Sequence, residues 1–163
     1  MDKVYIPTSS DEMRAGVPGS MVLVYRDLKQ MDQLPRLPII LLYETKPGIG
    51  HWVTILRTPE GIEHFDSYGL KPDGELSFVP FAFKAQSGQE VPHLVKLLLD
   101  TGEPINFSDF RLQDEARGIA TCGRWCVLRN MFAHLTSEAF GRMVLNSSKK
   151  LSLSPDEMVS VIV

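Results

Sequence analysis

Short apolar runs separated by Gly- and Pro-containing breaks fill the first two thirds of the chain, and apolar residues at helical spacing fill the last third. Ser9-Ser10-Asp11-Glu12 has the form of a capping box, with Ser9 as cap, so a helix starts there and Gly16 to Gly19 breaks it. Met21 to Tyr25 fits either a strand or a buried helix. Ile39 to Tyr43 reads as a buried strand, and His51 to Arg57, β-branched and aromatic, as another. Thr58-Pro59-Glu60-Gly61 is a turn, with Pro second and Gly fourth, and Ile62 to Tyr68 returns as a strand.

Residues 75–90 fit no single pattern. Val91 to Leu99 reads as helical, and Ile105 to Leu112 holds a further strand. Cys122, Trp125, Cys126, Met131 or Phe132, and Leu135 recur at helical spacing, and Ser137 to Leu145 continues as a second helix. Ser154-Pro155-Asp156-Glu157 joins a capping box to Pro at the first helical position and opens a terminal helix. The expected class is α+β, a small, mostly antiparallel sheet packed against helices.

Composition narrows the function classes. A chain of 163 residues is one domain, 1–163, that buries about 70% of its unfolded surface. With 44% hydrophobic and 23% charged residues, wholesale disorder is excluded. A net charge of -3 argues against a protein built mainly to bind nucleic acid. Residues 111–150 nevertheless hold seven Arg or Lys against three Asp or Glu. A solvated helix face is the expected cause, with weak DNA contact as the lesser reading. The longest apolar runs, Leu37 to Tyr43 and Leu94 to Leu99, fall short of the roughly 18 residues of a membrane helix, so no membrane partner is expected. The N-terminus lacks the shape of a signal peptide. Two cysteines are no disulfide framework, which points to a reducing compartment.

Cys122-Gly123 carries the most chemical information. The helical spacing begins at Cys122, so its sulfur lies at a helix N-terminus, where free N–H groups and the helix dipole favour a thiolate. Such a nucleophile needs a base and a group to hold that base. If Pro59-Glu60 is a two-residue loop, His51 lies opposite Tyr68 and Asp66 opposite Val53. His51 and Asp66 are then diagonal neighbours on one sheet face, about 7–8 Å apart at the backbone. Gln113 carries an amide that could donate to an oxyanion.

Each residue also has a plainer reading. Cys126, one helical turn after Cys122, reads as core, as does Trp125. Zinc on Cys122, Cys126 and His134 fits no usual spacing and lacks a fourth ligand, and no cofactor is expected. His64 shares the face of Asp66 and reads as a strand-surface residue. His93 reads as a helix-start surface residue, and His134 as a dipole-compensating one. Gly48 and Gly50 lack the Lys-Ser/Thr element of a phosphate loop and serve the turn that leads into His51.

Gly50-His51-Trp52, then Phe65-Asp66-Ser67-Tyr68-Gly69, then Gln113, then Cys122-Gly123-Arg124-Trp125 resemble the adenain and SUMO-protease group of cysteine proteases. The resemblance spans roughly residues 39–135, in the group's order His, Asp, Gln, Cys, although the interval from Gln113 to Cys122 is longer than usual. It implies a papain-like clan CE core with His51 as general base, Asp66 as its orienting group, Cys122 as nucleophile and Gln113 in the oxyanion hole. It further implies substrate binding at Trp52 and Gly123, with Trp52 walling a cleft for small residues. The chain is shorter than typical SUMO-protease domains and looks closer to processing proteases of double-stranded DNA viruses and virus-like transposons. The implied function is a thiol endopeptidase cleaving viral capsid or core precursors in the host cytoplasm or nucleus and the virion. A deubiquitinase or other deconjugating protease acting on a ubiquitin-like modifier is the alternative. An acetyltransferase or a non-catalytic binding domain fits less well, since no acyl-CoA feature is present and the set His51, Asp66, Cys122 is intact.

Overall fold

A computed structural model describes residues 2–116 and 118–163. Five strands form one sheet in the order β1 (Met21–Val24), β2 (Ile39–Lys46), β3 (Ile49–Thr58), β4 (Gly61–Phe65), β5 (Ile105–Phe107). The central pairs β2–β3 and β3–β4 are antiparallel, and each edge strand joins in parallel. The sheet is therefore mixed rather than mostly antiparallel. The reason is connection length: β1 and β5 reach their neighbours through segments too long for hairpins, and long crossovers permit parallel pairing.

Residues Ile39 to Glu44 of β2 are all buried, as expected of a strand covered on both faces. One face carries Ile39, Leu41, Val53 and Ile55 against α3 (His93–Asp100) and a 3₁₀ turn, Tyr25–Gln30. On the other face, α1 (Ser10–Gly16) and α4 (Cys122–Met131) pack on Ile40, Leu42 and Trp52. α4, α5 (Ser137–Leu151) and α6 (Pro155–Ile162) pack on Leu56 and Phe65. The capping boxes expected at Ser9 and Ser154 are both formed. The unassigned stretch holds a 3₁₀ turn, Gly74–Phe78, and the short helix α2 (Phe81–Gln86). Among the described residues no helix is long and apolar enough to cross a membrane.

α4 is buried almost all round, which is why its apolar spacing extends beyond a single stripe. It carries Arg129, fully buried with Glu63 of β4, whose carboxylate accepts from Arg129 Nε at 2.8 Å. Arg129 therefore departs from the expected solvated basic face, on which Arg142, Lys149 and Lys150 do lie.

The β3–β4 loop has two residues, and Thr54 faces Phe65, the register expected. Gly61 follows with φ +106°, a conformation glycine adopts without strain. Where β2 meets β3, a Cβ on Gly50 would stand 1.8 Å from the Tyr43 carbonyl oxygen. Backbone cannot step aside as a side chain can. Gly50→Ala should therefore lower stability by about 1–3 kcal/mol in urea unfolding. An unchanged midpoint would show that the strands do not approach so closely.

Candidate active site

His51 stands near the start of β3, opposite Tyr43, and Asp66 follows the end of β4. The register sends both side chains to one face, and His51 Nε2 lies 2.8 Å from Asp66 Oδ1. β4 stops one residue short of Asp66 because the chain turns there. The Tyr68 N–H donates to Asp66 Oδ1 over 2.8 Å and the Gly69 N–H to the Asp66 carbonyl oxygen over 2.8 Å. The Tyr68 ring stacks on the imidazole with centroids 4.5 Å apart. Asp66 is thus held against backbone and His51 against an aromatic plane.

Cys122 is the first residue of α4. Its Sγ accepts the Trp52 backbone N–H over 3.5 Å, so sulfur and imidazole meet at consecutive residues of β3. With Nε2 facing Asp66, Nδ1 is the nitrogen left for the sulfur, and the charge of each group bears on the protonation of the other. The start of α4 is anchored from α6. Asp156 accepts from the Thr121 hydroxyl at 2.6 Å and from Trp125 Nε1 at 3.1 Å, while its other oxygen takes the Asp114 N–H at 2.8 Å.

Gln113 is seated by Ser67. The Ser67 carbonyl oxygen accepts the N–H groups of Leu112 and Gln113, and its hydroxyl donates to Gln113 Oε1 over 2.7 Å. Among the described residues, the Gln113 amide nitrogen keeps only long contacts, 3.4 Å to the Tyr68 hydroxyl and 3.4 Å to the Ile119 carbonyl oxygen. It is therefore free to serve a stronger acceptor.

These groups open onto one cavity of about 780 Å³, lined by His51, Trp52, Tyr68, Glu75, Gln113 and Cys122 among others. A neighbouring depression of about 610 Å³ shares Gln113 and Tyr68, but neither cysteine nor histidine lines it among the described residues. The chemistry therefore belongs to the larger cavity. Trp52 lines that cavity and also packs in the core, with its indole N–H donating to the Thr8 carbonyl oxygen at 3.0 Å. Gly123 is buried away from the cavity wall, and a Cβ there would stand 2.6 Å from Thr8 Cβ.

Burial alone would raise the Cys122 thiol. The charge and hydrogen bond of His51, with the N–H groups of Trp52 and Gly123, outweigh it and hold the thiol below its ordinary range. Burial would likewise lower His51, but Cys122 and Asp66 raise it well above the usual histidine range. Each group thus favours the charged form of the other. Cys126 shows the contrast. Burial, with the nearby charges of Cys122 and Asp66, pushes its thiol well up, as suits a core cysteine.

His64 is fully buried, not on the strand surface. The period-two pattern places it on the face of Asp66 but does not tell that this face is covered. Burial, against the pull of Asp66, lowers it to about 4, so it stays neutral at ordinary pH. His93 starts α3 half-buried, and His134 is exposed beyond α4. Ser67, Tyr68, Glu75 and Asp156 are site residues that sequence reasoning does not single out. Ser67 and Tyr68 at least stand inside the motif around Asp66.

No protein-family model matches the chain. It is 38% identical over 124 residues to the uncharacterized protein V9 of Sputnik virophage, an alignment covering 76% of this chain and 71% of that protein. On that similarity the chain belongs to the same family as the virophage protein V9.

Proposed function

We propose that the chain is a cysteine endopeptidase of the adenain and SUMO-protease type that cleaves viral precursor proteins. One observation carries the reading: Cys122 and His51 line one cavity, and the buried Asp66 backs the imidazole at 2.8 Å. The sheet bearing His51 and Asp66, with the nucleophile at the start of a buried helix, fits the papain-like core that the resemblance implies. A relative in a virophage fits a viral processing role acting on capsid or core precursors in the infected cell and the particle.

The Cys122 thiolate attacks the scissile carbonyl, and the electron pair moves to the carbonyl oxygen. The Gln113 amide and the backbone N–H of Cys122 receive that oxyanion. As the intermediate collapses to a thioester, His51 delivers its proton to the leaving amine. It then takes a proton from the water that hydrolyses the thioester, and Asp66 holds the ring in place through both halves.

The test is a mixture of peptides incubated with the chain and with its Cys122→Ala variant, with new termini mapped by mass spectrometry. Cleavage after small residues, present only with the intact chain, is expected. No new termini, or the same termini from both, would refute the activity. Gln113→Ala should lower kcat about 10²–10³-fold if the amide serves the oxyanion. A near-normal rate would remove Gln113 from the site.

A further inference from the structure

Glu75 has no part in the reaction above, yet it reaches the centre of the site. It sits in the 3₁₀ turn Gly74–Phe78, is 5% exposed, and places Oε1 3.4 Å from His51 Nε2. One side-chain atom each from His51, Asp66 and Glu75 lie within 4.8 Å of one another. The turn is pinned for this. Its preceding residue, Asp73, accepts the hydroxyls of Tyr25 and Tyr43 on one oxygen, both at 2.8 Å, and the Val95 N–H on the other at 2.9 Å.

The hydrogen bonds leave a gap that one proton would close. Asp66 Oδ1 is committed to His51 and to the Tyr68 N–H. Asp66 Oδ2 and Glu75 Oε1 are both buried, and neither has a conventional partner among the described residues. Two ionised carboxylates so placed would repel each other and leave both oxygens unsatisfied. Nor can Glu75 share the Nε2 proton on equal terms, since Asp66 is nearer, at 2.8 Å against 3.4 Å.

We propose that Glu75 is a neutral carboxylic acid that donates a hydrogen bond from Oε1 to Asp66 Oδ2, so that Asp66 stays ionised and aimed at His51. Glu75 is then a positioning residue, and the inference rests on the triad reading of the site. Burial pushes its carboxyl up and the His51 charge pulls it down. The hydrogen bond and charge of Asp66 push it up again, to about 9. The titratable groups around it are His51 on β3, His64 on β4, Asp66 and Tyr68 just beyond β4, and Cys122 on α4.

The thiolate at Cys122 reports this chain of contacts without any substrate. Its ultraviolet absorbance is titrated with pH on the full chain, with Cys122→Ala as the blank. Glu75→Gln keeps a donor for Asp66, so its midpoint should stay within about 0.3 pH unit of the parent. Glu75→Ala removes the donor, and its midpoint should rise by about one unit. Equal shifts in both variants, in either direction, would show an ionised Glu75 acting by charge and would overturn the proposal. No shift in either would reduce Glu75 to packing. Should Glu75→Ala not fold, infrared difference spectra decide. A protonated-carboxyl band at neutral pH that Glu75→Gln removes supports the proposal, and its absence overturns it. Saturable one-to-one zinc binding that Glu75→Gln abolishes would assign the cluster to a cation instead. A chain that cleaves no peptide but shows the expected midpoints would refute the proposed reaction and leave this hydrogen bond standing.

Discussion

Replacing Cys122 by alanine should remove the proposed peptidase turnover, with kcat falling at least about 10⁴-fold, and should leave the domain folded. The sulfur is the atom that would bond to the substrate carbonyl, and no second thiol can replace it. Cys126 is buried in the core, and its thiol is held in the neutral form. The structural loss is small, because one sulfur at the edge of a cavity is removed and the surrounding contacts persist, for about 1 kcal/mol. Steady-state hydrolysis of a cleaved peptide, alongside thermal unfolding, measures both quantities. Cys126→Ala is the matched control and should retain turnover. Comparable loss in both cysteine variants would mean that the effect is structural and not chemical.

Replacing Arg129 by alanine has the largest expected effect on stability. Its guanidinium holds both oxygens of Glu63, at 2.8 and 3.1 Å, and donates to the carbonyl oxygens of Phe132 and Leu135 at 2.8 and 2.9 Å. It also lies 4.9 Å from the centre of the Phe140 ring. Arg129 thereby ties β4 to the end of α4 and to the turn beyond it. Without the arginine, a carboxylate with no exposed surface is left unpaired. The cost is about 3–5 kcal/mol, from a total that for most domains is roughly 5–15 kcal/mol. Arg129→Lys should fall between, since an ammonium cannot reproduce the two-pronged bond. Replacing both partners, as in Glu63→Leu with Arg129→Met, should restore much of the loss because no charge is stranded. Urea unfolding of the three variants tests this. A loss below about 1 kcal/mol for Arg129→Ala would show that water reaches Glu63.

Local rules made the central hairpin legible. A two-residue loop at Pro59-Glu60 dictates which residues face each other, and that parity brings His51 to Asp66. The start of α4 was legible for the same reason, since helical spacing begins at Cys122. Other features depend on distant partners. β1 and β5 are four and three residues long, and nothing in so short a run says whether its neighbour is parallel. The burial of His64 depends on what covers its sheet face, which period-two patterning does not report. Glu75 escaped notice because its 3₁₀ turn has no periodicity, and its setting comes from Asp73 bonding to tyrosines 30 and 48 residues away. Asp156 was visible as part of a cap, but its bonds to Thr121 and Trp125 exist only once α6 packs beside α4.

The most direct measurement is brief iodoacetamide labelling at neutral pH, with peptide mass mapping of both cysteines, on the parent chain and on His51→Ala. Activation of the sulfur by the imidazole predicts label on Cys122 and none on Cys126, with Cys122 labelling at least about tenfold slower once His51 is gone. Equal labelling of Cys122 in the two proteins, or an unreactive Cys122 in the parent, would contradict the account.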